Sequence, residues 1–435
     1  MEQIKTFIIK GDVAFSTGLD NLTTIKDGYI YCNKGRVKGV YDHLPCDLEE
    51  LPIKDYSGKL VIPGMVDLHI HAPQFTFRGM NMDEELMEWL SHNTFPEEAK
   101  YKNPEYAKKA YSIFVNALRK SATTRACIFG TQDIEATNIL IDLLEESGLK
   151  TYVGKVIMDT GVPEEYEASL LDKADNVYED VTAWIENTRK RAVNTKPILT
   201  PRFVPACTKE TLKILSKIEG EGYYPVQSHL CENPEEIKFV LDNYPEHASY
   251  TKVYDDYGLL KQNTIMAHCV YCDEEEIKLL KARGTFVAHC PSSNMNLSSG
   301  IAPIRRYLSE GINVGLGSDV AGGESESLFG EIKKAIECSK LYFRYIDKTS
   351  APLKFREAFY MATLGGGSFF NIAQEDKCQV GSFMENFHMD CVVIDDSVEE
   401  YINDLSIEQR LERAVYLGLD KTGLVHKYVS GVELF

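Results

Sequence analysis

No stretch of this 435-residue chain is apolar over the length that a bilayer crossing needs, so no membrane-spanning helix is expected. The first residues lack the apolar core of a signal peptide, which makes a cytosolic location the expectation. Positive charge is scarce. The chain has 47 Lys and Arg against 66 Asp and Glu, a net charge of −19. A surface of that sign repels phosphate backbones and anionic headgroups, so neither nucleic acid nor membrane is expected as a partner. A neutral small substrate stays open. Paired cysteine motifs are also missing. The eleven cysteines are odd in number, spread from Cys32 to Cys391, and fit reduced, buried residues better than a secreted framework. The one C-x-x-C, Cys269–Cys272, has no matching second pair, which argues against a zinc ribbon. Tandem repeats and low-complexity tracts are absent.

What is present is alternation. From residue 60 onward, short strand-like runs are each followed by a longer, charged, helix-like stretch. Eight such runs can be counted: Leu60–His69, Thr124–Gly130, Thr151–Met158, Pro197–Phe203, Tyr224–His229, Thr264–His268, Thr285–His289 and Ile312–Asp319. Helices are expected between them, for example over Pro104–Arg119, Glu165–Arg191 and Asp273–Arg283. Eight β-then-α units predict an α/β fold, a closed (β/α)8 TIM-type barrel, with a doubly wound open sheet as the alternative. The ends read differently. Short strands are expected at Thr6–Ile9, Tyr29–Cys32 and Arg36–Val40, and again at Asp390–Ile394 and Lys427–Phe435. Neither end can bury a core alone. The reading therefore pairs residues 1–62 with 376–435 as one small composite β domain, and gives residues 63–375 to the barrel.

The chemistry sits where a barrel places it, at the C-terminal ends of strands. The first strand ends in His69-Ile-His71. Residues two apart in a strand share a face, so both imidazoles can meet one ion. The fifth ends in Ser228-His229-Leu-Cys-Glu232, the sixth in Ala267-His268 and the eighth in Ser318-Asp319. Taken singly, each has an ordinary reading: a hydrogen-bonded histidine, a helix-capping aspartate, a glutamate on a solvated turn. Taken together, neutral imidazoles and one carboxylate suit zinc or ferrous iron with a position left for water. Glu232, three residues past His229, is placed to exchange a proton with that water without binding the ion.

This set resembles the amidohydrolase superfamily of metal-dependent hydrolases. Within it, the guanine-deaminating branch is most similar. The resemblance is carried by Pro63-Gly-Met-Val-Asp-Leu-His-Ile-His-Ala-Pro-Gln-Phe75, Glu88-Trp-Leu-Ser-His-Asn-Thr-Phe-Pro96, Thr200-Pro-Arg-Phe203, Gln227-Ser-His-Leu-Cys-Glu-Asn233, the Ala288–Gly300 segment and Gly315-Leu-Gly-Ser-Asp-Val-Ala-Gly-Gly323. It implies a barrel with a composite β-sandwich built from both chain ends. It implies one divalent metal per chain, zinc before iron, on His69, His71, His229 and Asp319. It further implies catalytic roles for Glu232, His268 and Asp319, and a homodimer. Guanine is the implied substrate, with Gln74, Trp89, Arg202 and Phe203 joining His229, Glu232 and Asp319 around it. Gln74 both donates and accepts, Arg202 donates in a fixed fork suited to a 6-oxo group, and Phe203 offers a ring face.

Competing readings stay open. Arg202 can instead serve a surface ion pair, Gln74 a loop hydrogen bond, and Trp89 plain core packing. A deaminase or chlorohydrolase of the same superfamily acting on another purine, a pterin or a triazine is the alternative enzyme. A non-catalytic oligomeric scaffold is the alternative class. The other zinc deaminase fold, with His-x-Glu and Pro-Cys-x-x-Cys, is excluded because neither motif occurs.

Overall fold

The protein was analysed as a computed structural model, which describes residues 6–373 and 379–435. The chain starts in an antiparallel meander of β1 (Phe7–Gly18), β2 (Asn21–Asn33) and β3 (Arg36–Tyr41). β4 (Ile53–Pro63) returns parallel to β1. Gly64 then hands the chain to β5 (Met65–His71). A Cβ at Gly64 would lie 2.2 Å from the Thr124 side chain, so only glycine permits this crossing. The run read as one strand over Leu60–His69 is therefore two strands in two sheets.

The barrel strands follow: β5, then β6 (Thr123–Phe129), β7 (Lys150–Gly154), β8 (Val156–Ile157), β9 (Thr195–Pro197), β10 (Thr200–Pro201), β11 (Val226–Leu230), β12 (Thr264–His268), β13 (Phe286–His289) and β14 (Asn313–Leu316). They pair in parallel in the order β5-β6-β7-β9, β8 with β10, and β11-β12-β13-β14. The expected third and fourth strands are each broken into two pieces. Lys155 explains the first break. It is buried, and its Nζ turns aside to Asp172 Oδ1 at 2.6 Å. The same Asp172 accepts from Met158 N and interrupts the expected helix Glu165–Arg191, which is observed as Glu164–Leu170 and Val177–Arg191. Backbone bonds outside the ladders, two at each place, bridge the gaps on either side of these strand groups. Gln227 N donates to Leu199 O at 3.0 Å, and Asp319 N donates to His69 O at 2.8 Å. The last strand thus meets the first, as a (β/α)8 barrel requires. The helices Pro104–Lys120 and Glu274–Arg283 lie where expected, the second with Asp273 and Glu276 forming a capping box.

After the barrel, β15 (Cys391–Ile394) pairs antiparallel with β4, followed by β16 (Leu424–Val429) and β17 (Val432–Glu433). Strands from both ends thereby form one seven-stranded sheet, ordered β17-β16-β15-β4-β1-β2-β3. The expected boundary at residues 375 and 376 lies outside the described residues. A buried ion pair ties this sheet region to the barrel. Arg125 on β6 donates through Nε to Asp390 Oδ2 at 2.6 Å, with both side chains 1% exposed. Asp390 Oδ1 accepts from Ser430 N at 2.6 Å. Burial alone would raise the Asp390 pKa, but Arg125 and His388 outweigh it and hold the carboxyl below its usual range.

Removing one partner of such a pair strands the other charge in a low dielectric. Arg125→Met is expected to lower unfolding stability by about 3–5 kcal/mol. Urea titration of both proteins checks this, and a loss below about 1 kcal/mol would show that the pair does not hold the two parts together.

Candidate metal centre and pocket

β5, β11, β12 and the residues just past β14 deliver five groups to one point. His69 Nε2 lies 3.1 Å from Asp319 Oδ1 and His71 Nε2 lies 3.3 Å from it. His71 Nε2 and His229 Nε2 face each other at 3.1 Å. Ligand atoms of His69, His229, His268 and Asp319 all fall within 4.8 Å of one another. The expected His69, His71, His229 and Asp319 all reach this point, but the four whose ligand atoms lie mutually within 4.8 Å include His268 and not His71.

The protonation of this cluster follows from burial. His71 and His229 are driven well below the usual imidazole range, by burial first and then by His69. Burial also lowers His69. Burial opposes ionisation of Asp319, yet His69, His268 and His71 together hold its carboxyl below the usual range. Burial thus favours neutral rings at His69, His71 and His229 beside the Asp319 carboxylate. His229 Nδ1 points at Arg202 O at 2.6 Å. A carbonyl only accepts, so Nδ1 carries the hydrogen and Nε2 presents a lone pair. His268 is oriented in the same way by Asn294 Oδ1 at 2.8 Å. Among the described residues, His69 Nδ1 and Nε2, His71 Nδ1 and His268 Nε2 are buried without a hydrogen-bond partner. Buried, unpaired nitrogens gathered around a carboxylate fit a divalent cation.

Beneath the cluster lies Asp67, which the sequence reading did not single out. Its Oδ1 accepts from His69 N and Ser318 N, each at 3.1 Å, and its Oδ2 from Ser318 Oγ at 2.6 Å. It joins the first barrel strand to the end of the last directly below His69 and Asp319. Burial raises its pKa to about 7.

Above the cluster opens a cavity of about 420 Å³. Gln74, Trp89, Arg202, Phe203, Glu232 and His268 all line it. Glu232 Oε2 is 3.3 Å from His268 Nε2, while its Oε1 accepts from Ser299 Oγ at 3.0 Å. Burial raises the Glu232 pKa, helped by nearby Asp319 and opposed by His268. Glu236 stands behind it, accepting from Glu232 N at 2.8 Å.

Two side-chain readings change in detail. Arg202 does form an ion pair, but a buried one: Nη1 donates to Glu98 Oε2 at 2.7 Å, with the side chains 4% and 2% exposed. Gln74 Nε2 donates to the other oxygen, Glu98 Oε1, at 3.0 Å, and Gln74 Oε1 accepts from Ala321 N at 3.3 Å. One carboxylate thus fixes both expected substrate contacts. Trp89 is both core and wall, 2% exposed and packed on Phe77 at 5.4 Å. Glu98 was missed although it stands two residues past the quoted segment ending at Pro96. Asn294 and Ser299 were missed inside a quoted segment. Nothing in their types marked them, because their roles are to hold other side chains.

The amidohydrolase family profile matches residues 60–427. The chain belongs to the amidohydrolase family. This family is metal-dependent, and the His/Asp cluster is the corresponding site here. Guanine deaminase of Dictyostelium discoideum is 36% identical over 390 residues, covering 89% of this chain and 85% of that protein. Guanine deaminase of Escherichia coli strain K12 is 32% identical, with 94% and 91% covered. A crystal structure of guanine deaminase from C. acetobutylicum, with guanine bound in the active site, superposes with a TM-score of 0.94 at 41% identity. It covers 99% of this chain and 100% of that one.

Asp67 braces the backbone of His69 and of Ser318, the neighbour of Asp319, from below. Outer partners of this kind change metal affinity by about 10- to 100-fold when removed. Asp67→Ala is expected to weaken divalent-metal binding on that scale in competition with a chromogenic chelator. Unchanged affinity would leave Asp67 as a strand fastener only.

Proposed function

We propose that this chain hydrolyses guanine to xanthine and ammonia. One observation carries the reading: a His/Asp centre and a proton-carrying glutamate open into a pocket whose facing wall is the Gln74–Glu98–Arg202 array. The relatives that act on guanine support it. We assign His69, His71, His229 and Asp319 as the ligands of one divalent ion, with zinc favoured by three neutral nitrogens and one carboxylate. When bound, the ion supplies a water of lowered pKa beside the pocket.

The chain's own groups do the rest. Asp319 has an oxygen facing His268 at 3.7 Å and is placed to take a proton from the attacking water and return it to the C2 amino group, which leaves as ammonia when its bond to C2 breaks. Glu232, its carboxyl raised by burial, holds a proton more readily than an exposed carboxyl and delivers one to a ring nitrogen of the purine. His268, with Nδ1 donating to Asn294 Oδ1, stabilises the oxygen that gains charge as C2 becomes tetrahedral once Nε2 also carries a proton, since only the doubly protonated ring donates from both nitrogens. Arg202 spends one guanidinium nitrogen on Glu98 and keeps other donors for the 6-oxo group. Phe203 and Trp89 supply apolar wall for a flat ring. Adenine has no 6-oxo acceptor and would leave those donors unpaired. A homodimer and a cytoplasmic location remain part of this proposal.

Glu232→Gln keeps shape but cannot carry a proton. Turnover of guanine, followed as ammonia release, is expected to fall about a hundredfold or more while the metal content stays at the wild-type level. Loss of the metal instead would make Glu232 a ligand.

Specificity needs a variant that does not orphan Glu98. Arg202→Met alone leaves a buried carboxylate unpaired, so Glu98→Gln is combined with it. In the double variant, guanine kcat/KM is expected to fall by about 2–3 kcal/mol in transition-state binding, roughly 30- to 150-fold. The guanine-to-adenine ratio should shrink with it. Unchanged guanine turnover would make Arg202 structural and favour a different heterocycle.

A further inference from the structure

A second group of metal-capable side chains lies outside this pocket. Cys231, Cys272 and Glu276 are all buried, and their ligand atoms fall within 4.8 Å of one another. They come from three places. Cys231 follows β11, Cys272 sits in the loop after β12, and Glu276 stands in the first turn of the helix Glu274–Arg283. Cys269 adds a flank: the Cys272 thiol is within hydrogen-bond reach of both Cys231 and Cys269. Cys231 Sγ points at Glu276 Oε1 at 3.7 Å. Each Glu276 oxygen accepts one backbone N–H, from Thr251 at Oε1 and Asp273 at Oε2, both at 3.0 Å. A second lone pair is left on Oε2, and the one on Oε1 that faces Cys231 Sγ is freed when that thiol gives up its proton.

Simple packing does not account for this arrangement. Cysteine packs as a small apolar residue, and apolar packing avoids a carboxylate. Here three thiols converge beside one. Thiolates with a carboxylate in a closed site suit a zinc-like ion, and a structural site of this kind keeps no position for water. The C-x-x-C that lacked a second pair in the sequence finds its further ligands through the fold. Cys231 comes from the preceding barrel strand and Glu276 from the following helix.

We propose that Cys231, Cys272 and Glu276, flanked by Cys269, form a second metal site that takes a thiophilic divalent cation such as Zn2+ or Cd2+. Binding forms metal–sulfur bonds and releases the thiol protons to solvent, with no change of oxidation state. The ion links the turn that carries Glu232 to the loop that begins just after His268, and so fastens two arms of the pocket from behind. The site is independent of the guanine reading and exceeds the single ion expected per chain.

The test uses the metal-replete enzyme, kept reduced by a phosphine, equilibrated with Cd2+ and desalted. The wild type is expected to retain one further equivalent per chain, to show thiolate-to-cadmium charge-transfer absorption, and to melt at a higher temperature with the ion. The His/Asp centre has no sulfur and cannot give that absorption. Cys272→Ser is expected to lose the absorption, the extra equivalent and the thermal shift, while keeping the first metal and its turnover. Glu276→Gln preserves the helix cap, since Gln also serves at that position. It is expected to weaken Cd2+ by about tenfold or more, and it decides the matter if Cys272→Ser fails to fold. The proposal is overturned if wild type takes up no further ion, if Cys272→Ser keeps the absorption, if Glu276→Gln binds as wild type does, or if mutation of the exposed Cys46 to Ser abolishes the signal.

Discussion

An ionised carboxylate buried among neutral imidazoles is the constraint from which the rest of the site follows. Asp319 is 6% exposed, and no Lys or Arg pairs with it among the described residues. Arg202, the guanidinium in the same pocket, is already committed to Glu98. Burial drives His69, His71 and His229 toward their neutral forms. Such a cluster is electrically incomplete by itself, and isolated buried charge is costly. A divalent cation would resolve both deficits at once: it would balance Asp319 and take the lone pair of His69 Nε2, which is buried without a hydrogen-bond partner. The outer bonds fit that task. Arg202 O and Asn294 Oδ1 accept only, and each thereby turns a lone pair of its histidine toward the centre.

The substrate wall obeys the opposite rule, since its charges are balanced before anything binds. Glu98 sits between Gln74 and Arg202, so two polar side chains in a nearly dry pocket are held in one geometry each. A guanidinium on a flexible stem loses rotamer freedom when it meets a ligand. Here that loss is taken on folding. The same carboxylate leaves Gln74 with its amide nitrogen turned away toward Glu98. Donation from that nitrogen to a purine edge therefore needs a shift of Gln74, whereas Arg202 keeps free donors where it stands. In the proposed function, discrimination by the 6-oxo group would therefore rest on Arg202 more than on Gln74.

The architecture was legible where periodicity and residue chemistry agree. His69, His71, His229, Glu232, His268 and Asp319 each end or follow a strand that alternation locates, and one fold brings them together. The strand breaks were not legible. Lys155 reads as part of a strand until Asp172, far along the chain, draws its side chain aside. Gly64 reads as an ordinary glycine until Thr124 fills the space beside it. Glu98 and Asp67 are buried carboxylates whose worth lies wholly in three-dimensional neighbours, and sequence spacing carries no trace of those. The end sheet was underestimated for a related reason. β1 spans twelve residues and β4 eleven, but polar residues and glycines interrupt their apolar runs, so only fragments stood out.

The backbone at the strand ends shows how the site is held open. Cys231, His268, Cys269 and Asp319 all take left-handed conformations, with φ of 49°, 72°, 48° and 44°. Non-glycine residues adopt this region at a cost of order 1–3 kcal/mol each, and they persist there only when neighbours over-determine them. The neighbours are visible. Cys269 N donates to Leu230 O, Val270 N to Cys231 O and Asp319 N to His69 O, all between 2.8 and 3.0 Å. Each bond crosses between adjacent barrel strands, so the ring geometry itself enforces the turns. Relaxing any one of them to a right-handed conformation would swing His268, Asp319 or Glu232 away from the common centre. The regular pairing deeper in the barrel therefore bears the strain that lets the side chains at its rim converge.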